Sequence, residues 1–179
     1  IKWRVDTLLS KEPDTLSWID NFQDDKKTFW DIGANIGLYS IYAALKHTNI
    51  EIISFEPSTN NLRILSRNIY INGLQDKIKI VQLPLSDKTL GFAELKEKKF
   101  GEGESNNTFD YNIDFEGKEL KFENSYKFLG TSLNYLIENR ILEIPNYIKI
   151  DVDGVEHKIL KGFNKFLSNP KIKKLQIEI

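Results

Sequence analysis

The sequence contains no cysteine and no methionine. Without cysteine the chain cannot form disulfide bonds, cysteine-ligated zinc sites or a thiolate nucleophile, so proteins that depend on them are excluded. A chain without cysteine suits a reducing compartment, and we expect a cytoplasmic protein. Because the chain starts at Ile1 and has no methionine, we also expect it to be a piece of a longer gene product.

Long hydrophobic runs and an excess of one charge are missing as well. No apolar stretch reaches the roughly 18 residues that a membrane-spanning helix needs, and the N-terminal residues do not have the pattern of a signal peptide. Lys and Arg together number 25 and Asp and Glu 26, which gives a net charge of −1. Nucleic-acid-binding proteins usually carry a basic excess. We therefore expect neither a nucleic-acid partner nor a membrane span.

The 179 residues, enough for one domain, alternate between apolar strands and amphipathic helices. The periodicity predicts strands over residues 28–32, 50–55, 77–83, 146–150 and 174–179, and helices over residues 16–22, 38–45, 131–137 and 155–167. A further helix is predicted to begin at Ser58 or Thr59 and to be terminated by Asn72 and Gly73. Asp14 or Thr15 is expected to cap the first of these helices. This alternation is typical of an α/β fold with a doubly wound, Rossmann-like parallel sheet, here in the strand order 3-2-1-4-5.

We expect residues 1–179 to form a single domain. Residues 1–28 are predicted to be a peripheral helical segment, and residues 88–128, where the periodicity weakens, a hairpin-like insert. Eight aromatic side chains of the insert form either a wall for a substrate or simply the core of the hairpins. They are Phe92, Phe100, Phe109, Tyr111, Phe115, Phe122, Tyr126 and Phe128.

In a sheet of this kind, ligands bind beyond the carboxyl ends of the strands, beside the first strand. The residues that follow or end the predicted strands are Asp31, Glu56, Ser86, Asp87, Asp151 and Glu178. The turn over residues 31–37 reads DIGANIG, in which glycine and asparagine let the backbone approach a ligand closely. A carboxylate at Glu56 can accept both hydroxyl hydrogens of a ribose. The pattern favours a cofactor that contains a nucleoside.

Two such cofactors differ in charge, and the turn discriminates between them. The NAD fingerprint requires G-x-G-x-x-G, because a pyrophosphate lies against the start of the helix. Here Asn35 stands at the central position, and the carboxylate of Asp31 would repel a pyrophosphate. S-adenosylmethionine carries a sulfonium and an ammonium group, which a carboxylate attracts. Charge therefore favours S-adenosylmethionine.

Four segments resemble the ordered motifs of FkbM-type methyltransferases, which are class I S-adenosylmethionine-dependent enzymes. They are residues 29–40 (FWDIGANIGLYS), 55–57 (FEP), 85–87 (LSD) and 148–156 (IKIDVDGVE). The resemblance implies that Glu56 binds the ribose, Pro57 packs on the adenine, and Ser86 or Asp87 lies near the adenine edge. It also implies which residues of the first motif cradle the methionine part of the cofactor: Asp31, Gly33, Ala34, Asn35 and Gly37.

The chain departs from the family's pattern in two places. The family more often has Glu where Asp153 stands, which keeps the charge but changes the reach of the side chain. Class I methyltransferases usually end with an antiparallel pair of strands, and no such pair follows the fifth predicted strand. Either that pair belongs to the rest of a longer chain, or the domain is incomplete.

Residues 149–154 (KIDVDG) would lie beside the methyl group of the cofactor, and three interpretations are open. Asp151 or Asp153 removes the proton of an acceptor hydroxyl. The two hold a divalent cation such as Mg²⁺, although no metal ligand is assigned. Or both are structural, with Asp153 capping the next helix and Asp151 pairing with Lys149. Because a buried ammonium needs a carboxylate partner, Lys149 is counted with Asp151 and Asp153 as a candidate catalytic residue.

The function expected from the resemblance is O-methylation of a hydroxyl on a sugar, a glycan or a secondary metabolite. A nicotinamide-dependent oxidoreductase is one alternative, against which the missing third glycine and Asp31 both count. A non-catalytic nucleoside-binding or structural domain of the same fold is another. The partner is expected to be a small-molecule or glycan acceptor, and the sequence leaves the oligomeric state open.

Overall fold

A five-stranded parallel sheet forms the centre of the protein, in the order β3-β2-β1-β7-β8. The computed structural model describes residues 1–105, 107–111 and 121–178. None of the described helices has the length and hydrophobicity that crossing a membrane requires. In chain order the elements are α1 (Lys2–Lys11), α2 (Pro13–Asp20), β1 (Lys27–Ile32), α3 (Leu38–Lys46), β2 (Ile50–Phe55), α4 (Thr59–Ile71), β3 (Ile78–Val81), β4 (Gly91–Glu97), β5 (Thr108–Phe109), β6 (Asn124–Gly130), α5 (Leu133–Glu138), β7 (Tyr147–Ile150), α6 (Glu156–Lys161) and β8 (Lys174–Ile177).

The central strands are apolar on both faces because helices cover both sides of the sheet. On one side Phe29 and Ile52 pack against α2, α3 and α4. On the other side Trp30 and Ile53 pack against α5 and α6. Successive side chains of a strand point to opposite faces, so the uninterrupted apolar runs supply both layers of the core.

The register of the sheet brings three strand ends to one edge. Ile32 at the end of β1 lies opposite Phe55 of β2 and Ile150 of β7. The residues that follow these strands therefore meet at the same edge. The predicted strand order is confirmed, and so is the prediction that Glu56 and Asp151 follow strands that neighbour β1.

Strands β5, β4 and β6 form a separate three-stranded antiparallel sheet, in which β4 pairs with β6 from Gly91 opposite Gly130 to Glu97 opposite Asn124. These strands occupy most of the segment predicted to be a hairpin-like insert. Phe115 of the predicted insert and Ile179 of the fifth predicted strand lie outside the described residues.

Several predicted boundaries were wrong for local reasons. Helix α1 was predicted only as part of the peripheral helical segment, without bounds of its own, because it has no buried residue to produce a periodicity. Helix α2 begins at Pro13, with Glu12 and not Asp14 or Thr15 at its N-cap, because proline lacks the N–H group that the first helical position leaves unused. Helix α6 ends at Lys161, six residues before the predicted residue 167, as the chain turns at Gly162.

Candidate functional site

The turn between β1 and α3 lies against the ends of both neighbouring strands. The N–H groups of Gly33 and Ala34 donate hydrogen bonds of 3.0 and 2.9 Å to the carbonyl oxygen of Phe55. Gly33 has a φ of +83°, and a β-carbon there would lie 1.8 Å from the carbonyl oxygen of Asp151. Asn35 also has a left-handed φ, of 51°. Glycine is therefore required where the turn closes against the end of β7.

Asp31 lies beneath this turn and does not line the cavity described below. It is 1% exposed, and its Oδ2 accepts a hydrogen bond of 2.6 Å from the hydroxyl of Ser40. Its Oδ1 is buried without a partner among the described residues. Burial raises the pKa of Asp31, while the ammonium of Lys149 and the bond from Ser40 oppose the rise. Asp31 thus lies behind the turn, and its expected contact with the cofactor stays a prediction.

Glu56 follows β2 and faces the cavity. It is 5% exposed. Its Oε2 accepts a hydrogen bond of 2.8 Å from the N–H of Asn35, and its Oε1 accepts bonds from the N–H of Ser58 at 2.9 Å and the amide of Asn61 at 3.4 Å. Burial raises the pKa of Glu56 to about 7, although these bonds favour the ionised form. The backbone therefore fixes the position of this carboxylate.

The cavity opens at the edge of the sheet where β1, β2 and β7 end. Its walls combine carboxylates with apolar side chains, an arrangement that suits a ligand with one polar and one apolar part. The polar wall contains Asn35, Glu56, Asp151 and Asp153, and the apolar wall contains Pro57, Leu83, Pro84, Leu85, Val155 and Ile159.

Ser86 and Asp87, which are expected near the adenine edge, do not line the cavity, whereas residues 83–85 do. Ser86 is buried, and its hydroxyl accepts a hydrogen bond of 3.1 Å from the N–H of Lys88. Asp87 pairs with Lys161 at 2.7 Å near the surface. Gly37 does not line the cavity either; a β-carbon there would lie 2.3 Å from the side chain of Leu65.

Lys149 is buried in β7, with 2% of its side chain exposed. Its Nζ donates a hydrogen bond of 2.7 Å to Oδ2 of Asp151, and it lies 4.8 Å from the ring centre of Tyr39. Burial alone would raise the pKa of Asp151, but the ammonium of Lys149 outweighs it and holds that pKa below its usual value. Lys149 does not itself line the cavity, whereas Asp151 does. The lysine thus acts on the cavity through Asp151.

Glu178 follows β8, and one of its carboxylate oxygens lies within 4.8 Å of a carboxylate oxygen of Asp151. Two carboxylates this close together disfavour the ionisation of both at once. Partial burial and the charge of Asp151 raise the pKa of Glu178 to about 7. The Glu178 side chain is still 48% exposed and lines the cavity. Of the two carboxyl groups, Glu178 therefore takes up a proton more readily than Asp151.

A third carboxylate, Glu12, joins this pair. Glu12, Asp151 and Glu178 each place an oxygen within 4.8 Å of the others, a spacing that can hold a metal ion. Ammonium groups lie among them, however, since Lys11 is 2.8 Å from Glu12 and 4.0 Å from Glu178, and Lys149 contacts Asp151. These cations neutralise much of the charge that would attract Mg²⁺. Magnesium binding stays a prediction.

Asp153 lines the cavity from the loop after β7, with a φ of 58°. The N-cap of α6 is Val155, and no side chain caps this helix, so the expected capping role of Asp153 was wrong. The carboxylate of Glu156 instead accepts hydrogen bonds from the N–H groups of Val152 and Gly154, at 3.1 and 3.2 Å. Glu156 closes the loop, and the Asp153 side chain belongs to the cavity wall.

Two cavity residues come from α1, which the sequence placed on the periphery. Arg4 and Lys11 both line the cavity beside Glu56. Neither lies in a recognisable motif, so only the three-dimensional arrangement identifies them. Of the described aromatic residues of the insert, Phe109 lines the cavity, whereas Phe92 and Phe100 are 74% and 60% exposed.

Comparisons with known proteins agree with this arrangement. The sequence model of the family described as "Methyltransferase FkbM domain" matches residues 31–179. The methyltransferase sdnD of Sordaria araneosa is 29% identical over 154 residues, which cover 75% of this chain and 60% of that protein. The hexuronic acid methyltransferase AglP of Haloferax volcanii is 24% identical over 171 residues, which cover 93% of this chain and 62% of that protein. The chain thus spans less than two thirds of the length of these curated relatives.

The fold also matches a solved structure. The crystal structure of a methyltransferase FkbM from Methylobacillus flagellatus KT superposes with a TM-score of 0.55 at 19% sequence identity. The superposition covers 88% of this chain and 34% of that one. At this identity the likeness is one of fold.

Proposed function

The chain belongs to the FkbM methyltransferase family, and on that premise we propose that it transfers a methyl group from S-adenosylmethionine to a hydroxyl of a sugar, a glycan or a secondary metabolite. The observation that carries the proposal is the position of Glu56. This buried carboxylate faces a cavity at the carboxyl edge of the sheet, next to the glycine-containing turn. A carboxylate in that position is suited to a ribose.

The residues at this edge fit S-adenosylmethionine better than a dinucleotide. Glu56 supplies acceptors for ribose hydroxyls, and Pro57 with residues 83–85 offers an apolar surface for the adenine. Asp151, Asp153 and Glu178 make the rest of the wall acidic, which favours a cationic ligand and disfavours a pyrophosphate. When bound, the cofactor supplies a methyl group on a positively charged sulfur, which an oxygen nucleophile can attack.

The chain's own contribution to the chemistry is to hold the acceptor and to take its proton. We assign the proton to the pair of Asp151 and Glu178, whose carboxylate oxygens lie within 4.8 Å of each other and which both line the cavity. A general base works best when its pKa lies near the operating pH, as that of Glu178 does at about 7. Lys149 keeps Asp151 ionised and so favours the arrival of the proton on Glu178.

The proposed base and the name of one relative together suggest which class of acceptor molecule to test. A hydroxyl must lose its proton to become a good nucleophile, and the Asp151–Glu178 pair provides a base. The relative from Haloferax volcanii is named for hexuronic acid. A hexuronic acid, free or within a glycan, is therefore the first acceptor to test.

The contacts of the insert support a single domain over residues 1–179 with the insert over residues 88–128. The hydroxyl of Ser58 donates a hydrogen bond of 2.7 Å to Glu97 in β4. The amide of Asn35 donates one of 2.9 Å to the carbonyl oxygen of Glu104. Strand β4 and the loop between β4 and β5 are thus bonded to the two segments that frame the cavity.

The test is transfer of a labelled methyl group from S-adenosylmethionine to free and glycosidically linked hexuronic acids. We expect a product stable to mild base, because a methyl ether on a hydroxyl resists hydrolysis whereas a methyl ester on the carboxylate does not. A base-labile product would contradict methylation of a hydroxyl.

Variants of the proposed base extend the test. Glu178→Gln should lower kcat by about 10²-fold or more and change the affinity for S-adenosylmethionine far less. Wild-type kcat should rise with pH through about 7, as Glu178 loses its proton, and the Gln variant should lose this dependence. If a chelator abolishes wild-type activity and added Mg²⁺ restores it, the proposed base is wrong and the mechanism depends on a metal.

A further inference from the structure

Helix α1 lies outside the segment that the family model matches, yet it borders the site. The match begins at residue 31 and α1 spans Lys2–Lys11. Arg4 and Lys11 line the main cavity. The helix also forms one wall of a smaller cavity beside it, whose opposite wall is the turn after β1, including Gly33 and Asn35. This is the turn that the family resemblance assigns to the methionine part of the cofactor.

A chain of hydrogen bonds connects α1 to Glu56. Arg4 Nε donates a bond of 2.7 Å to the carbonyl oxygen of Gly103, and the N–H of Gly103 donates one of 2.8 Å to Asn61. The amide of Asn61 in turn contacts Glu56 at 3.4 Å. Because α1 buries none of its own residues and a helix of 10 residues is marginal alone, contacts of this kind hold it beside the cavity.

The charges of the cavity show where a ligand carboxylate can be placed. The acidic side chains that line it are Glu56, Glu104, Asp151, Asp153 and Glu178. Among the described residues, the cationic side chains that line it are Arg4 and Lys11, both from α1. S-adenosylmethionine carries a sulfonium, an ammonium and one carboxylate. The acidic wall favours the two cations and repels the carboxylate, which is therefore directed towards α1.

The two cations of α1 differ in what they already bind. Lys11 is 2.8 Å from Glu12 and 4.0 Å from Glu178, so its charge is largely matched within the protein. Arg4 uses Nε for the carbonyl oxygen of Gly103, and its guanidinium has no carboxylate partner in the part of the chain that the structure describes. The remaining guanidinium N–H groups can grip a carboxylate through two parallel bonds.

We propose that Arg4 binds the carboxylate of the methionine part of S-adenosylmethionine, which makes α1 a cofactor-binding element. This inference rests on the proposed function, since it assumes that cofactor. It assigns a specificity role to a residue outside the family segment. A ligand that lacks this carboxylate loses the contact with Arg4 and keeps its contacts with the rest of the cavity.

The experiment compares two ligands on three proteins by isothermal titration calorimetry. The ligands are S-adenosylmethionine and decarboxylated S-adenosylmethionine, and the proteins are the wild type, Arg4→Gln and Lys2→Gln. Arg4→Gln should weaken binding of S-adenosylmethionine about 10- to 150-fold more than it weakens binding of the decarboxylated form. Lys2 lies on the same helix with 92% of its side chain exposed, so Lys2→Gln should change neither affinity.

The outcomes separate this inference from the function on which it rests. A wild type that binds no S-adenosylmethionine overturns the proposed function and the role of Arg4 with it. If the wild type binds S-adenosylmethionine but Arg4→Gln weakens both ligands equally, Arg4 only holds α1 in place and the assignment is wrong. It is also wrong if Arg4→Gln still discriminates between the ligands as the wild type does.

Discussion

Replacing Glu56 by glutamine tests the ribose contact, and the structure sets the size of the effect. A carboxylate offers about four lone-pair positions. The N–H groups of Asn35 and Ser58 occupy two of them at 2.8 and 2.9 Å, and the amide of Asn61 occupies a third weakly at 3.4 Å. One lone-pair position is therefore free for the ribose, and a second becomes available when the weakly bound amide of Asn61 is displaced. One to two charge-assisted bonds correspond to about 2–3 kcal/mol, or roughly 30- to 150-fold in affinity.

Glutamine is preferred to alanine because Glu56 also holds the turn. Glu56→Ala would leave two buried N–H groups without acceptors, at about 1–3 kcal/mol each, and would confuse loss of binding with loss of structure. Glutamine keeps one acceptor oxygen at nearly the same position. Melting temperatures of the wild type and the variant, measured without ligand, give the structural part of the effect separately.

The assay varies the ligand together with the protein. Calorimetry with S-adenosylhomocysteine and its 2′,3′-dideoxyribose analogue should show discrimination of roughly 30- to 150-fold in the wild type and little in Glu56→Gln. Burial raises the pKa of Glu56 to about 7, and ribose hydroxyls donate to the ionised form, so binding releases a proton. Wild-type affinity should therefore fall as the pH drops below about 7, and that of the variant should not. Undiminished discrimination by Glu56→Gln would refute the ribose contact.

Two further predictions concern the framework of the site. Gly33→Ala should abolish cofactor binding, because its β-carbon would lie 1.8 Å from the carbonyl oxygen of Asp151. Gly73→Ala is the control: it has a similar φ of +65° and open space around it, and should cost only about 1 kcal/mol of stability. Equal effects of the two variants in urea unfolding and calorimetry would contradict this account. Lys149→Met should lower the free energy of unfolding by about 3 kcal/mol, since it leaves the partly buried carboxylate of Asp151 without its cation. Adding Asp151→Asn to this variant should recover part of the loss. An unchanged urea midpoint in Lys149→Met alone would show that the ion pair is dispensable for stability.

The strands and their order were predictable because parallel strands that are covered on both faces leave continuous apolar runs in the sequence. The run at Ile50–Phe55 was predicted with the bounds that the structure has. Helix α6 was predicted too long because its amphipathic pattern continues past Gly162. A β-carbon at Gly162 would lie 2.1 Å from the carbonyl oxygen of Ser86, a close approach that no local pattern records.

The candidate site was predictable where a strand end fixes the position of a residue, and not where a long-range contact does. Glu56 and Asp151 follow central strands, and the structure brings both to the cavity. Asp31 lies one residue before the end of its strand, so its side chain points into the protein and not towards the ligand edge. Arg4 reaches the cavity through its hydrogen bond to Gly103, a pairing between distant parts of the chain that periodicity cannot show.

The most direct test of the central claim is a titration of the wild-type protein with radiolabelled S-adenosylmethionine, in the absence and presence of excess NAD. The account predicts saturable binding of one S-adenosylmethionine per chain, which S-adenosylhomocysteine displaces and NAD does not. A folded protein that binds no S-adenosylmethionine, or from which NAD displaces it, would contradict the assignment of this cavity to the methyl donor.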